Sequence, residues 1–485
     1  MFTNSHPRGL FTLFFTEMWE RMSYYGMRGI LVLFMTASIL DGGLEIDSVS
    51  ASAIYGIYSA CVYLVALIGG WLADRHIGQQ KAILYGGFII MLGHFLLAFT
   101  NLQAFYLGLI FVVLGTGLLK PNISTIVGQL YKPGDIRIDA GYTIFYMSIN
   151  IGSMLGFLVC GYLGEKVGWH WGFGAAGVGM TFGVLQYIFS KGSLGEAGLK
   201  PTLEEKEDSS KYFSIFSISS ATLFLVVISA YVGLWSIDPQ LLNQIIVYLI
   251  LIVAIFYFVY LYLFAGLNKA EKGNISMLLL LFIGSVLFWA GFDQGGSSLN
   301  LFAKDYTDLF IFGWEMPATF LQVANPLMVV IFAPFFAAFW INLGKRNLDL
   351  DTPQKFALGC FLMAIGFFVM IFGVEVALEN QKAGVKWLLL TYLFHTLGEL
   401  CLSPVGLSAT AKYAPKRYKG QMMGIWFLSS SLAAGLAGLL ASKSLESGLS
   451  SMPGLFNQII LALVVVGVIL IIANKFVKAT TDLEE

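Results

Sequence analysis

Seven ionisable residues fall inside long apolar stretches of this chain: Glu17, Glu20, Arg21, Arg28, Lys120, Asp293 and Glu399. A charge at the centre of a bilayer costs roughly 2.5–3.5 kcal/mol on insertion scales, so such residues mark substrate or ion paths. Acids and bases nearly balance in this set, as expected of groups that pair across a cavity. Glu17, Glu20, Arg21, Tyr24 and Arg28 recur every three or four residues, which places them on one helical face. A carboxylate beside a guanidinium is a proton switch, because protonating the acid releases the pair. The competing reading is a static ion-pair ladder that fixes helix packing. Lys120 is followed by Pro121-Asn122, and irregular backbone at membrane depth is tolerated only where it lines protein or water. Lys120 is therefore expected to face a cavity. Asn325-Pro326 and Ser403-Pro404 repeat this pairing of a polar residue with proline.

Aromatic residues accompany these charges: Tyr24, Tyr25, Tyr63, Tyr146, Trp289 and Trp426. Each serves equally well as packing or as ligand contact. His94 and His395 lie in apolar segments and receive no role. Gly152 and Gly156 form a GxxxG pair, which reads as close helix packing. Cys61, Cys160, Cys360 and Cys401 sit in apolar stretches and read as small packing residues rather than a disulfide framework. No Cys/His spacing resembles a metal site, and no nucleophile–base constellation points to an enzyme. No cofactor is expected.

The elements that must position these residues follow from composition. The chain has 485 residues, 57% of them hydrophobic and 12% charged, with a mean hydropathy of +0.77. Soluble domains carry roughly 25% charged residues, and a chain this apolar needs a bilayer. A net charge of −1 gives no attraction for nucleic acid. The first apolar stretch is long and charged, unlike a cleaved signal peptide. A spanning helix takes ~20 apolar residues, and by that measure the sequence predicts fourteen. Six cover 11–40, 51–74, 82–100, 104–127, 140–163 and 171–190. A polar stretch, 191–211, reads as an exposed linker, and 213–235 and 241–264 form an inserted pair. The last six cover 275–301, 317–343, 356–376, 387–412, 422–443 and 456–477.

The basic residues test that layout. Of the 28 lysines and arginines, Lys166, Lys304, Lys382, Lys386 and Lys443 fall on the face opposite the N-terminus. Arg21, Arg28 and Lys120 stay within the membrane, and all the others fall on the N-terminal face. The positive-inside rule then places both termini in the cytoplasm. The expected architecture is all-α and polytopic, with a six-helix bundle over 1–190, a linker and two inserted helices over 191–272, and a second six-helix bundle over 273–485. Six plus six helices around a midplane site describes the major facilitator fold, and Gly70-Trp-Leu-Ala-Asp74-Arg75-His-Ile-Gly78 followed by Lys81 matches its loop signature.

Several runs resemble one family, the proton-dependent oligopeptide transporters. Glu17-Met-Trp-Glu20-Arg21-Met-Ser-Tyr24-Tyr25-Gly26 is similar to the family's ExxER motif. Gly117-Leu-Leu-Lys120-Pro121-Asn122, Phe145-Tyr146-Met-Ser-Ile-Asn150-Ile-Gly152-Ser153 and Gly398-Glu399-Leu-Cys-Leu-Ser403-Pro404-Val-Gly406-Leu407-Ser408 resemble three more signatures. Phe292-Asp293-Gln294 and Gln322-Val-Ala-Asn325-Pro326 also fit, and the matches span nearly the whole chain in family order. The inserted helix pair is typical of bacterial members.

The resemblance implies a symporter that brings short peptides and protons across the inner membrane. Arg28 and Lys120 would hold the peptide carboxylate, and Glu399 and Asn325 its amino end. Tyr24, Tyr63, Tyr146, Asn150, Trp289, Ser403 and Trp426 would line the pocket. Glu17, Glu20, Arg21 and Asp293 would serve proton coupling and gating. Arg28 is expected to pair with Asp293 across the bundles on the outer side when the transporter faces inward, and Lys120 with Glu399 on the inner side in the alternate state. Met22 replaces an aromatic residue common in the motif. Gly56 stands where animal members carry a histidine, so coupling here rests on carboxylates. Some members carry nitrate or other metabolites instead, yet Lys120 together with Glu399 favours peptides. A channel would need repeated pore elements or charged rings, and none is evident.

Overall fold

The computed structural model describes residues 6–99, 101–132, 135, 137–201, 238–346, 348, 350–415, 418–445 and 448–481. Its helices are α1 (Gly9–Thr36), α2 (Ser48–Leu72), α3 (Gln79–Leu97), α4 (Leu102–Gln129), α5 (Ile138–Tyr162), α6 (Trp169–Ser190), α7 (Pro239–Leu263), α8 (Lys269–Phe292), the short α9 (Ser298–Tyr306), α10 (Ala324–Lys345), α11 (Thr352–Asn380), α12 (Lys386–Tyr413), α13 (Lys419–Leu445) and α14 (Met452–Thr481). Among the described residues, eleven helical segments are long and apolar enough to cross a membrane. α1 and α12 are 28 residues each and carry five of the seven intramembrane charges, Lys120 lying on α4 and Asp293 in the turn that follows α8. The chain is an all-helical, multi-pass membrane protein. The segment 213–235 lies outside the described residues.

Local sequence starts many of these helices. Asp47 accepts a hydrogen bond from the Ser50 N–H ahead of α2, and Asn101 accepts one from Ala104 ahead of α4. Asp238 caps α7, where Pro239 takes a first-turn position that needs no N–H donor. Asn268 and Glu271 form a capping box on α8, and Asp351 with Gln354 forms another on α11. We call the face where α1 begins the proximal face and the opposite one the distal face. On the distal side two loops meet as a short parallel strand pair, Thr307 beside Ala383 and Asp308 beside Gly384.

Glycine decides how closely α1 is held. A Cβ on Gly152 would lie 2.3 Å from the Met18 carbonyl oxygen, and one on Gly156 would lie 2.4 Å from that of Met22. The GxxxG pair of α5 thus brings α1 into near backbone contact, which fixes the rotation of its charged face. α2 and α13 cross in the same way, with the Cβ position of Gly56 only 2.9 Å from Gly438 Cα. α7 packs at this crossing through Asn243, fully buried, whose Nδ2 donates to the Gly435 carbonyl at 3.2 Å. The buried positions of α7 are Asn243, Val247, Ile250, Ala254, Phe258 and Leu261, one stripe at helical spacing. Leu241, Ile245, Tyr248 and Phe256, away from this stripe, are exposed and apolar, as a lipid-facing surface should be.

Two expectations change. The predicted helix over 275–301 is broken: α8 ends at Phe292, residues Asp293–Gly296 form a 3-10 turn, and α9 resumes at Ser298. The break requires glycine at 296, because a Cβ there would lie 1.9 Å from the Tyr55 hydroxyl reaching over from α2. The start of the predicted exposed linker is packed rather than free. Leu194 is buried, and the Gln80 side chain donates to the carbonyls of Gly195 (3.1 Å) and Ala197 (2.8 Å). Residues 202–211 lie outside the described region.

Candidate functional site

The helices enclose a cavity of about 260 Å³, close to the lower end of the roughly 300–1,000 Å³ that small-ligand pockets span. α1 contributes Arg21, Tyr24, Tyr25 and Arg28; α2 contributes Tyr63; α4 contributes Thr116 and Lys120; α5 contributes Tyr146, Asn150, Ser153 and Phe157. The second set of helices faces them with Trp289, Gln322, Asn325, Tyr392, His395 and Glu399. Cations therefore line one wall, and the opposite wall presents a carboxylate.

Behind the cationic wall lie the two acids of α1. Glu20 is fully buried and grips Arg21 with both oxygens, the Nη2 bond measuring 2.6 Å. Glu17 is fully buried too, and its Oε1 serves two bases, Lys120 Nζ by ion pair and Arg21 Nε at 3.4 Å. Arg21 also stacks over the Tyr24 ring, its guanidinium carbon 4.7 Å from the centroid, a favourable cation–π distance. Arg21 and Lys120 reach the cavity, while Glu17 and Glu20 do not line it. Each base is thus a link between the cavity and a buried acid.

The carboxylate wall is organised by α12. Glu399 Oε2 accepts from Asn325 Nδ2 at 3.0 Å, and its Oε1 accepts from the Tyr146 hydroxyl at 3.4 Å. Asn325 also donates to Thr396 Oγ1 at 2.9 Å. Glu399 therefore receives neutral donors, and Lys120 pairs with Glu17; in this state, with Arg28 on Asp293, the alternate Lys120–Glu399 bridge is not made. The reason is geometric: α1 packs against α4, and Glu17 sits directly behind Lys120.

Arg28 pairs with Asp293, as the sequence predicts. Its Nη2 donates to Asp293 Oδ1, and its Nε to the Tyr55 hydroxyl. Tyr55 is completely buried, and the sequence reading missed it. The signal was a polar stripe on α2, Tyr55, Tyr58, Ser59 and Tyr63, at the helical spacing that faces α1. Trp426 is a correction. It does not line the cavity; its ring meets Phe356 edge-on at 6.1 Å and lies against Gly406. The Ser403 side chain is outside the described region. Gly56 abuts Gly438 and the Asn243 amide, so no larger side chain fits there without parting the helices.

Polar contacts on the distal side join the region of α1–α6 to that of α9 and α10. Asn300 Nδ2 donates to the Gly29 carbonyl at 2.8 Å, and Lys166 Nζ reaches Glu315 Oε2 at 2.8 Å. The hydrogen bond and charge of Lys166 hold the Glu315 carboxyl below its ordinary range. A depressed carboxyl pKa contributes stability above the unfolded value, ~4.3, which is lost as pH falls through the lower folded value. Glu315 is more than half exposed, so screening keeps the contribution small. Glu315→Gln is expected to lower the melting temperature slightly at pH 7, less in high salt, and not at all below the folded pKa. A destabilisation that grows in acid would contradict this.

This fold and cavity define a membrane transporter. The sequence profile described as the POT family matches residues 80–457, and the chain belongs to that family. It is 40% identical over 484 residues to the peptide transporter YePEPT of Yersinia enterocolitica subsp. palearctica, covering 96% of this chain and 94% of the relative. It is 35% identical to a di-/tripeptide transporter of Lactococcus lactis subsp. lactis, over 97% and 95% of the two chains. A crystal structure of peptide transporter POT in complex with sulfate superposes with a TM-score of 0.92 at 39% identity, over 99% of this chain and 97% of the other. A POT family transporter in complex with a thioalcohol conjugated peptide superposes at 0.89 and 34% identity, over 98% and 97%. Family and relatives are transporters, so the chain is not an enzyme.

Proposed function

We propose that this protein is a proton-coupled symporter that imports di- and tripeptides across the bacterial inner membrane by alternating access. One observation carries the reading: a single small cavity presents Arg28 and Lys120 on one wall and Glu399 with Asn325 on the other. A short peptide is a zwitterion of complementary charge, and recognition of its two ends leaves the side chains loosely read. Tyr24, Tyr63, Tyr146, Asn150 and Trp289 form the walls between the ends, with Ser403 assigned by motif. An anion carrier such as a nitrate transporter has no use for a carboxylate held open by neutral donors, which favours peptides.

In this reading the proximal face, rich in lysine and arginine, is cytoplasmic, and the chain folds as six, two and six spanning helices. The bundles are 1–190 and 273–485, separated by 191–272. The closed distal contacts support reading this state as open towards the cytoplasm. Coupling follows from the links behind the cationic wall. A peptide carboxylate arriving at Lys120 competes with Glu17 for the same ammonium. Protonating Glu17 removes that competitor, and protonating Glu20 releases Arg21, so peptide and proton favour each other's binding, as linkage requires. The proton gradient supplies the driving force without a cofactor.

Blocking either peptide end should weaken binding, since each charge-assisted hydrogen bond contributes roughly 1.5–3 kcal/mol. Competition against a labelled dipeptide is the measurement. N-acetylated and C-amidated dipeptides are expected to compete at least tenfold more weakly, and doubly blocked ones not at all. Equal competition by free and doubly blocked peptides would remove the end-recognition site.

A further inference from the structure

A carboxylate at the distal end of α5 makes contacts that the peptide site does not account for. α5 finishes at Tyr162 and continues as a wide turn, Leu163–Val167, closed by the Gly168 N–H on the Leu163 carbonyl at 2.8 Å. That turn aims Glu165 at the first residues of the 3-10 segment Ala318–Val323, which runs straight into α10. Glu165 Oε2 accepts from the Ala318 N–H at 2.9 Å. Its Oε1 accepts from the Thr319 N–H at 3.0 Å and the Thr319 hydroxyl at 2.7 Å.

The first N–H groups of a helix have no partner within it and need a cap. α2, α4, α7, α8 and α11 take theirs from the residue just before the helix. Pro317, at the equivalent place here, offers no side-chain cap. The cap comes instead from a residue 153 positions earlier, in the other half of the fold. Beside it, Thr319 sits in a slot left by small residues: a Cβ on Gly161, one turn before Glu165, would lie 2.0 Å from Thr319 Oγ1, and one on Gly29 would lie 3.7 Å from Thr319 Cγ2. The capped segment carries Gln322 and leads into Asn325, both on the cavity wall, and Asn325 in turn holds Glu399.

We infer that Glu165 is a gate-positioning residue: its carboxylate, locked on Ala318 and Thr319, holds the distal face shut and sets the register of Asn325 at the ligand. The two halves cannot part on this face without uncapping the segment that leads to the peptide's amino-end contacts. Closure of the gate and order in the cavity are thereby one event. This rests on the alternating-access reading above, and the test keeps the two separable.

Spin labels at Leu40, on the distal loop after α1, and at Asn380, at the distal end of α11, report the separation of the two halves. In the wild-type sequence, peptide and acid pH are expected to redistribute the distances; a single fixed distance under all conditions would contradict alternating access itself. Glu165→Gln keeps the volume but supplies one acceptor oxygen instead of two. It is expected to shift the closed-to-open ratio by about tenfold towards open, the factor matching loss of one charge-assisted hydrogen bond, with Glu165→Asp partly restoring closure. Peptide KM in exchange should rise more than the maximal rate falls, because Asn325 loses its register. Thr319→Val keeps both backbone donors and should move the ratio in the same direction by less, adding nothing to Glu165→Gln in the double variant. If Glu165→Gln does not fold, Thr319→Val carries the test. A wild-type distribution in whichever variant folds, while the wild type itself responds to peptide, overturns the proposal.

Discussion

Replacing Glu20 by glutamine is expected to abolish gradient-driven peptide accumulation while sparing peptide exchange. Glutamine has the shape of a permanently protonated glutamic acid, and the site is well suited to accept it. Glu20 is fully enclosed and touches its neighbours chiefly through Arg21. Arg21 would not be stranded, because Glu17 Oε1 remains 3.4 Å from its Nε. Folding and the cavity wall should survive, since Arg21 and Lys120 still face the ligand. What disappears is a proton that comes off on the cytoplasmic side. In proteoliposomes the accumulation ratio should fall to about one under an imposed gradient, with counterflow of labelled for unlabelled peptide within a few-fold of wild type. Normal accumulation by Glu20→Gln would take this residue out of the mechanism.

Asp293→Asn should open the distal face. The Arg28–Asp293 pair is buried and joins α1 to the turn between α8 and α9. Breaking such a pair by removing one partner costs about 3–5 kcal/mol, which is on the order of a hundredfold or more in a two-state ratio. Tyr55 retains its bond to Arg28, so the loss falls on the contact between halves rather than on α1 itself. Arg28→Ala and Asp293→Asn should be strongly non-additive in distance measurements across the distal face, because each removes the same bridge. Arg28 also faces the cavity, so Arg28→Ala alone should raise peptide KM, whereas Asp293→Asn should chiefly change the conformational ratio. Additive effects, or an unchanged open population in Asp293→Asn, would leave the pair a static brace.

The intramembrane charges were legible because a bilayer makes them conspicuous, and helical spacing on α1 ordered them correctly. The Arg28–Asp293 pair was legible as well, since two opposite charges at similar depth in facing helices have few other partners. Which carboxylate Lys120's ammonium would pair with was not. Lys120 chooses between Glu17 and Glu399 by helix rotation, and that rotation is set by backbone contacts such as Gly152 on Met18 and Gly69 on Gly117. Tyr55 went unnoticed because its job depends on a break in α8–α9 that only makes sense once the hydroxyl is seen against Gly296. Trp426 was placed in the pocket by the family resemblance, yet its side of α13 faces Phe356. Glu165 lies at a helix end, where a carboxylate ordinarily meets water, so nothing in its sequence surroundings announces a partner in the other half.

Uptake of a labelled dipeptide into proteoliposomes, with and without an imposed inward proton gradient, tests the central claim most directly. The peptide is expected to concentrate above its external level when the gradient is present, to lose that excess on adding a protonophore, and merely to equilibrate without the gradient. Equal uptake with and without the gradient, or no uptake of any free dipeptide, would contradict it.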